Sequence, residues 1–124
     1  MLGDVLVPPS FPDESFDAIL SNPPYIPTRE LAGLSPEVHA EPTAALDGGE
    51  DGLTFYRSIL SLWRRTLKPD GFILLEIGYD QADAMRSLGR ACGFAHVHIK
   101  KDLGGNDRVV FLSQKPYPSK GYLL

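Results

Sequence analysis

The sequence has little cysteine, no excess of positive charge and no long apolar run. Cys92 is the one cysteine among 124 residues, which excludes an internal disulfide and a cysteine-based zinc site, and a reducing cytoplasm fits best. Twelve Lys and Arg stand against sixteen Asp and Glu, a formal net charge of −4. This balance argues against general nucleic-acid binding, which depends on clustered cations.

No apolar run approaches the ~20 residues that are needed to cross a bilayer. The N-terminus has no basic segment before its short apolar stretch, so we expect neither secretion nor membrane insertion. The composition, with 43% hydrophobic and 23% charged residues, is typical of a soluble globular protein of one domain. Many of the 12 Gly and 11 Pro fall in the first half, which predicts a loop-rich region there.

The first half contains one clear strand. Residues 16–21 form a short apolar run that stops at Asn22-Pro23-Pro24, which predicts a buried strand ended by proline. Ser35-Pro36-Glu37 has a capping residue, a first-turn proline and an acidic residue, and predicts a short helix.

The second half alternates between helix and strand. Residues 53–67 have apolar positions at helical spacing, and the turn at 68–71 leads into an apolar strand at 72–77. We expect a second helix from Asp80, as its cap, to about residue 92, with Asp83 in its first turn and Gly93 at its end. Two more strands are expected: an alternating one near residues 95–100 at a sheet edge, and a last one at 108–113. This order predicts an open α/β sheet whose last two strands are antiparallel across the 102–107 turn.

Asn22-Pro23-Pro24-Tyr25 follows the first strand, at the carboxyl edge where open α/β sheets bind ligands. A side-chain amide is a poor nucleophile, and an enzyme that alkylates it has to orient its nitrogen with fixed acceptors. The Asn22 side-chain oxygen and the Pro23 carbonyl, stiffened by two prolines, could be such acceptors, and Tyr25 offers a flat face. The alternative is a proline-rich strand end in which Tyr25 merely caps the core.

Four blocks of the sequence together resemble the HemK family of peptide-chain release factor glutamine methyltransferases. They are FDAILSNPPYIP, then EP-x-x-AL-x-GG-x-DGL at residues 41–53, LLEIG-x-x-Q at 74–81, and DLGGNDRVV at 102–110. The resemblance implies part of a class I S-adenosylmethionine-dependent, Rossmann-like α/β fold, with a C-terminal antiparallel strand pair. It assigns residues 1–114 to the C-terminal part of the catalytic domain and 115–124 to a tail.

The same resemblance implies S-adenosylmethionine as methyl donor and the glutamine of a Gly-Gly-Gln loop in a release factor as acceptor. Asn22 and the Pro23 carbonyl would then bind the glutamine amide, with Asn22 also beside the cofactor, while Pro24 and Tyr25 shape the pocket. Asp4 would accept a hydrogen bond from the adenine amino group, and Val5 would pack on the ring. The expected reaction is direct displacement that depends mainly on positioning and desolvation, with no strong general base.

The sequence departs from the family in lacking its first strands, its Gly-rich cofactor turn and its substrate-binding helical domain. Gly48-Gly49 and Gly104-Gly105 are no substitutes for that turn. We therefore expect a fragment of a longer protein or a truncated reading frame, inactive alone and weak in cofactor binding. Loss of the neighbouring strands would leave an apolar edge at residues 16–21, through which we expect the isolated chain to form a homo-oligomer.

Two other functions compete with this interpretation. One is a fragment of a DNA adenine amino-methyltransferase, which the net charge and the 41–53 block disfavour, and the other is a catalytically dead interaction module.

His96 and His98 share one face of a predicted strand but have no trio of further ligands, and we interpret them as solvated edge residues. The resemblance places Glu76 near the mouth of the active cleft, and the alternative is that it forms a salt bridge to Arg108 or a helix-cap contact. The arginines of the first helix, at 57, 64 and 65, are interpreted as a solvated face.

Overall fold

The computed structural model describes residue 6, residues 8–33 and residues 47–115. The strands in this part are β1 (Phe16–Ser21), β2 (Leu67–Glu76), β3 (His96–Lys101) and β4 (Asp107–Ser113), and the α-helices are α1 (Thr54–Ser58) and α2 (Ala82–Ala91). Their order along the chain confirms the predicted alternation. The expected helix at 35–37 and the expected tail beyond Lys115 lie outside the described residues.

The four strands form one sheet in the order β1-β2-β4-β3. β1 and β2 are parallel, whereas β2 with β4 and β4 with β3 are antiparallel, which confirms the predicted final pair and the edge position of β3. Among the described strands, β1 has β2 as its one neighbour. The expectation that β1 is buried is therefore wrong in part: Leu20 is 67% exposed because no described element covers the outer side of this strand.

β2 begins at Leu67 and not, as predicted, at Phe72. The register with β1 jumps from Phe16–Leu67 to Ala18–Phe72, so that the residues between bulge out of the pairing. The turn predicted at 68–71 is thus a bulge inside the strand. Gly71 is required there, since a Cβ on it would lie 2.7 Å from the Asp17 carbonyl oxygen.

The helix predicted at 53–67 is present but irregular. α1 continues into a π-helical turn at Ile59–Trp63 and a 3-10 turn at Arg64–Thr66. The wider π turn changes the angle between successive side chains. In consequence Ile59 joins the core, while Trp63, expected on the core face, is only partly buried.

α2 begins two residues after the predicted cap. Gln81 precedes its first residue and no side chain caps the helix, so the prediction of Asp80 as the cap is wrong. Asp83 does lie in the first turn, and Gly93 ends the helix with φ +91°, as predicted. Gly89 lets the helix approach the sheet closely, because a Cβ there would lie 2.7 Å from Leu112 Cδ2.

The core lies between one face of the sheet and the two helical segments. Its buried members are Tyr56, Ile59, Leu60, Ile73, Leu75, Ile77, Ala82, Met85, Phe94, Val110 and Leu112. None of the helices in the described part of the chain is long and apolar enough to span a membrane. The carboxyl ends of β1 and β2, which are parallel, meet at one edge of this layer, and that edge carries the candidate site.

Candidate functional site

Asn22 is the first residue after β1, and its side chain is exposed. It lines a groove of about 380 Å³ across the ends of the first two strands, whose lining residues are Leu20, Ser21, Asn22, Leu74, Leu75, Glu76 and Val109. The Asn22 amide makes no hydrogen bond to another described residue. Within the described part of the chain, both its oxygen and its nitrogen are thus free of partners at this groove.

The two prolines after Asn22 turn the chain away from the sheet. Pro23 is buried and Pro24 is half-buried, so the fixed φ angles of this pair are embedded in the surrounding structure. The Tyr25 carbonyl oxygen, one residue further on, accepts a hydrogen bond from Gln81 Nε2 at 3.0 Å. The corner formed by residues 22–25, which we call the amide corner, is thus anchored at its far end.

Residues 47–49 run beside the chain that leaves the amide corner. Gly48 N donates to the Ile26 carbonyl at 2.8 Å, and Thr28 N donates to the Gly49 carbonyl at the same distance. Gly48 is packed directly on the corner, because a Cβ on it would lie 2.6 Å from Tyr25 Cα. The Gly-Gly pair of the second sequence block therefore serves close backbone packing and not phosphate binding.

Two aspartates hold the loop around residues 47–51 in place beside the amide corner. Asp47 Oδ1 accepts from the Thr28 hydroxyl at 2.7 Å and from Gly49 N at 3.0 Å, and these bonds, the hydroxyl first, hold the pKa of Asp47 below its ordinary value. Asp51 is paired with Arg57, which is the main reason why the pKa of Asp51 is lowered. Both carboxylates are thus engaged in holding the loop.

Glu76 ends β2 and lines the groove together with Asn22. Arg108 Nη1 lies 3.6 Å from Glu76 Oε1, and Arg108 Nη2 lies 3.1 Å from Asp102 Oδ2. The expected salt bridge of Glu76 to Arg108 is therefore present, and the same side chain borders the groove. The pKa of Asp102 is lowered, first by the backbone N–H of Asn106 and then by Arg108.

Tyr25 lines a second cavity of about 420 Å³ on the other side of the amide corner. The charged groups around this cavity are Arg29, Glu30, Asp51, Asp80 and Arg108. Asn22 and Tyr25 thus face different cavities with the two prolines between them. The other two predicted site residues, Asp4 and Val5, lie outside the described residues.

Gln81, which was not among the predicted site residues, contacts the amide corner. It is 7% exposed, and its side-chain oxygen accepts from Gly78 N at 2.7 Å while its nitrogen donates to the Tyr25 carbonyl. Tyr56 lies in the same network and donates to the Glu76 carbonyl at 2.7 Å. The available signal was the glutamine that closes the LLEIG-x-x-Q block, a polar residue at the start of a helix on the core side.

The remaining candidates lie elsewhere. His96 and His98 are half-buried on β3, and the described part of the chain contains no group of three or more His, Cys, Asp or Glu side chains suited to a metal. The arginines of the first helical segment are engaged: Arg57 with Asp51, Arg65 with Asp13, and Arg64 with the Phe94 ring at 5.1 Å. Gly104 and Gly105 lie between the antiparallel strands β3 and β4 and not at a strand-to-helix turn.

The strand order, the parallel pair β1 and β2 and the polar edge after β1 define part of a Rossmann-like class I methyltransferase fold. No family model matches the chain. The release factor glutamine methyltransferase of Caulobacter vibrioides is 50% identical over 107 residues, which are 86% of this chain and 37% of that protein. The protein of the same name in Thermodesulfovibrio yellowstonii is 42% identical over 115 residues, 92% of this chain and 40% of that protein.

A solved structure agrees with these relatives. The crystal structure of the release factor-specific protein-(glutamine-N5) methyltransferase from Alicyclobacillus acidocaldarius superposes with a TM-score of 0.52 at 34% identity, and covers 82% of this chain and 50% of that one. The chain is therefore homologous to the C-terminal part of the release factor glutamine methyltransferase family. It spans about two fifths of the length of the curated relatives that it matches.

Proposed function

We propose that this chain is the amide-binding part of an enzyme that transfers a methyl group from S-adenosylmethionine to the side-chain nitrogen of a release-factor glutamine. The glutamine is that of the Gly-Gly-Gln loop, and the reaction belongs to translation termination in the cytoplasm. The observation that carries this proposal is Asn22, an exposed carboxamide without a described hydrogen-bond partner, at the mouth of an open groove.

The amide corner would orient the substrate nitrogen. Asn22 Oδ1 accepts one N–H of the glutamine amide and the Pro23 carbonyl accepts the other, so that the nitrogen lone pair points into the groove. Pro24 and Tyr25 would shape the pocket from behind the corner, since Tyr25 itself lines the neighbouring cavity. Because the two prolines fix the backbone before binding, little entropy is lost when the amide is oriented.

The groove fits the cationic end of the methyl donor. The side chains that line it include the Glu76 carboxylate and no Lys or Arg. S-adenosylmethionine supplies a methyl group already activated by its positively charged sulfur, so the chain needs no strong general base. Asp4 and Val5 would hold the cofactor at its adenine. Asn22 would lie beside the cofactor but make its main contact to the substrate amide, and the proton of the methylated nitrogen is released to water.

The experiment uses a chimera in which residues 1–124 replace the matching C-terminal part of the Caulobacter vibrioides relative. Methyl transfer from labelled S-adenosylmethionine to a release factor is measured, and the modified atom is located by mass spectrometry. We expect methylation of the glutamine nitrogen. Asn22→Ala should reduce the rate by a factor on the order of 100 and leave cofactor affinity largely unchanged, because the lost contact is made to the reacting amide.

Asn106→Ala is the matched control, an exposed asparagine in the turn between β3 and β4. It should leave the rate unchanged. Full activity of the Asn22→Ala chimera would remove Asn22 from the mechanism. A folded chimera that methylates adenine in DNA, or neither substrate, would contradict the proposal and favour one of the two competing functions.

A further inference from the structure

Gln81 joins three segments that are far apart in the sequence. Its Oε1 accepts from Gly78 N at 2.7 Å, and its Nε2 donates to the Tyr25 carbonyl at 3.0 Å and to the Gly52 carbonyl at 3.4 Å. Each partner belongs to a different sequence block. We propose that Gln81 is a positioning residue that holds the amide corner, and thereby Asn22, in the geometry that binds the substrate amide; this role rests on the function proposed above.

A carboxamide is the one side chain of this size that satisfies these partners. Gly78 offers an N–H donor, so an acceptor has to face it, whereas Tyr25 and Gly52 offer carbonyl oxygens, so a donor has to face them. The partners therefore dictate which way the amide points. Since Gln81 is 7% exposed, water is largely excluded from replacing a lost bond.

The surroundings leave the amide no room to turn. A Cβ on Gly78 would lie 3.2 Å from Gln81 Oε1, and a Cβ on Gly52 would lie 3.1 Å from Gln81 Nε2. Both glycines are therefore packed on the Gln81 side chain. Because Tyr25 is linked to Asn22 by two prolines with fixed φ, a shift at the Tyr25 carbonyl is passed on to the Asn22 side chain.

Gln81→Glu separates this role from plain packing, because it keeps the size and removes the donor. At neutral pH one carboxylate oxygen of the introduced glutamate would face the Tyr25 and Gly52 carbonyl oxygens and be repelled by them. The other would face the Gly78 N–H and the Tyr56 hydroxyl, which lies 3.5 Å from Gln81 Oε1 and stays protonated at these pH values because burial raises its pKa. Burial and the repulsion by the two carbonyl oxygens raise the pKa of the introduced carboxyl. On acidification its neutral form donates one hydrogen bond again, so the position of the amide corner should recover as the pH falls.

The first test uses the 124-residue chain and needs no activity. The Gly48 and Thr28 amides form the hydrogen bonds that join residues 47–49 to the chain directly after the corner, and their protection is measured by NMR hydrogen exchange together with the Asn22 side-chain signals. In Gln81→Glu we expect these protection factors to fall about tenfold at about pH 7.5 and to recover at about pH 5.5. The amide of Asp102, bonded to the Asn106 carbonyl in the distant β3–β4 turn, should not change.

Two variants complete this test. Gln114→Glu is the matched control, because Gln114 also accepts from a backbone N–H, that of Ala95, and donates to a carbonyl, that of Gly93, but is exposed. It should leave the corner unchanged at both pH values. Gln81→Asn retains the amide group, but its side chain is one carbon shorter and cannot reach all the partners of Gln81. It should therefore loosen the corner equally at both pH values. If Gln81→Glu does not fold, this variant tests whether Gln81 holds the corner.

The second test measures methyl transfer in the chimera. Gln81→Glu should lower kcat about tenfold at about pH 7.5 with the KM for S-adenosylmethionine unchanged, and recover relative to the unmodified chimera at about pH 5.5. Three outcomes would overturn the proposal. The protection of the Gly48 and Thr28 amides could stay unchanged, protection could fall evenly over the whole chain, or the corner could loosen while kcat keeps its full value. If the unmodified chimera transfers no methyl group, the function above fails, and the exchange data still decide whether Gln81 holds the corner.

Discussion

Gly48 is packed so closely on Tyr25 that a Cβ on Gly48 would lie 2.6 Å from the Tyr25 Cα and 2.7 Å from its carbonyl carbon. Both neighbours are backbone atoms, which cannot rotate away as the end of a side chain could. The chain at 47–49 is moreover bonded to Ile26 and Thr28 on the far side of the corner. The glycine is thus a steric requirement of the amide corner.

Gly48→Ala should therefore displace the corner and destabilise the fold. We expect a loss of about 1–3 kcal/mol in the free energy of unfolding, the usual cost of overpacking. Urea unfolding followed by circular dichroism measures it. In Gly104→Ala the new Cβ meets only the ends of two exposed or half-buried side chains, Asp102 Oδ1 at 3.3 Å and Asn106 Nδ2 at 3.7 Å, and the change should stay within about 0.5 kcal/mol. Equal stability of the two variants would show that the packing at Gly48 is not tight.

The sequence predicts the fold well where the signal is local. The apolar run at 16–21 ends at two prolines, and its bounds agree with β1 residue for residue. The antiparallel pair of β3 and β4 follows from two short apolar runs with a turn between them. The π turn after α1 is not predictable in this way, because it depends on how the helix meets the sheet and not on the helical spacing of its own residues.

The residues of the candidate site likewise fall into two groups, those that a local sequence motif predicts and those that only the fold brings together. Asn22 and the prolines after it could be singled out because the motif follows a strand directly. Gln81 could not, because its partners Tyr25 and Gly52 lie 56 and 29 residues away and only the fold brings them together. Asp80 likewise does not cap α2, because the helix begins one residue later, after Gln81, whose side chain is turned back to Gly78.

Tyr56 should make the fold sensitive to alkali. It is fully buried, and burial is the main cause that raises the pKa of its hydroxyl. The unfolded chain releases this proton near pH 10 while the folded chain retains it, so the contribution is complete below that pH and is lost as the pH rises further. Tyr56→Phe also removes the hydrogen bond to the Glu76 carbonyl, which costs about 1 kcal/mol.

Thermal unfolding of wild type and Tyr56→Phe checks this. The wild type should have the higher Tm at about pH 8, and the difference should shrink at about pH 10.5, where only the wild type has to keep a buried phenol protonated. Tyr79→Phe is the control, because that ring is 70% exposed. A Tm difference that stays constant or grows with pH would contradict the buried, protonated state of Tyr56.

Asp102 should make the stability of the fold depend on pH in the acid range. Its carboxylate accepts from Asn106 N and Gly104 N, and it pairs with Arg108. Since its pKa is lowered in the folded chain, its contribution is present above the ordinary value of about 4 and is lost as the pH falls through the folded pKa. Asp102→Asn should therefore unfold at a lower temperature than wild type at about pH 6, and the gap should close by about pH 2.

The matched control for Asp102 is Asp83→Asn. Asp83 also pairs with an arginine, Arg86, at 2.8 Å, but its side chain is 99% exposed and makes an ordinary surface pair. Its substitution should change the Tm little at either pH. A gap of Asp102→Asn that persists unchanged at about pH 2 would indicate that the backbone bonds do not depend on the ionised carboxylate.

The outer edge of β1 should make the isolated chain associate. Leu20 is 67% exposed on this strand, and such an apolar edge pairs readily with a second copy. Sedimentation velocity should show a dimer or higher assembly that Leu20→Lys shifts to monomer, while Leu103→Lys, at a fully exposed leucine in the β3–β4 turn, should leave it unchanged. Calorimetry on the same samples should show weak or no binding of S-adenosylmethionine. A monodisperse monomer that binds the cofactor at about micromolar Kd would contradict both expectations, because it would mean that β1 needs no further strand beside it to form a working groove.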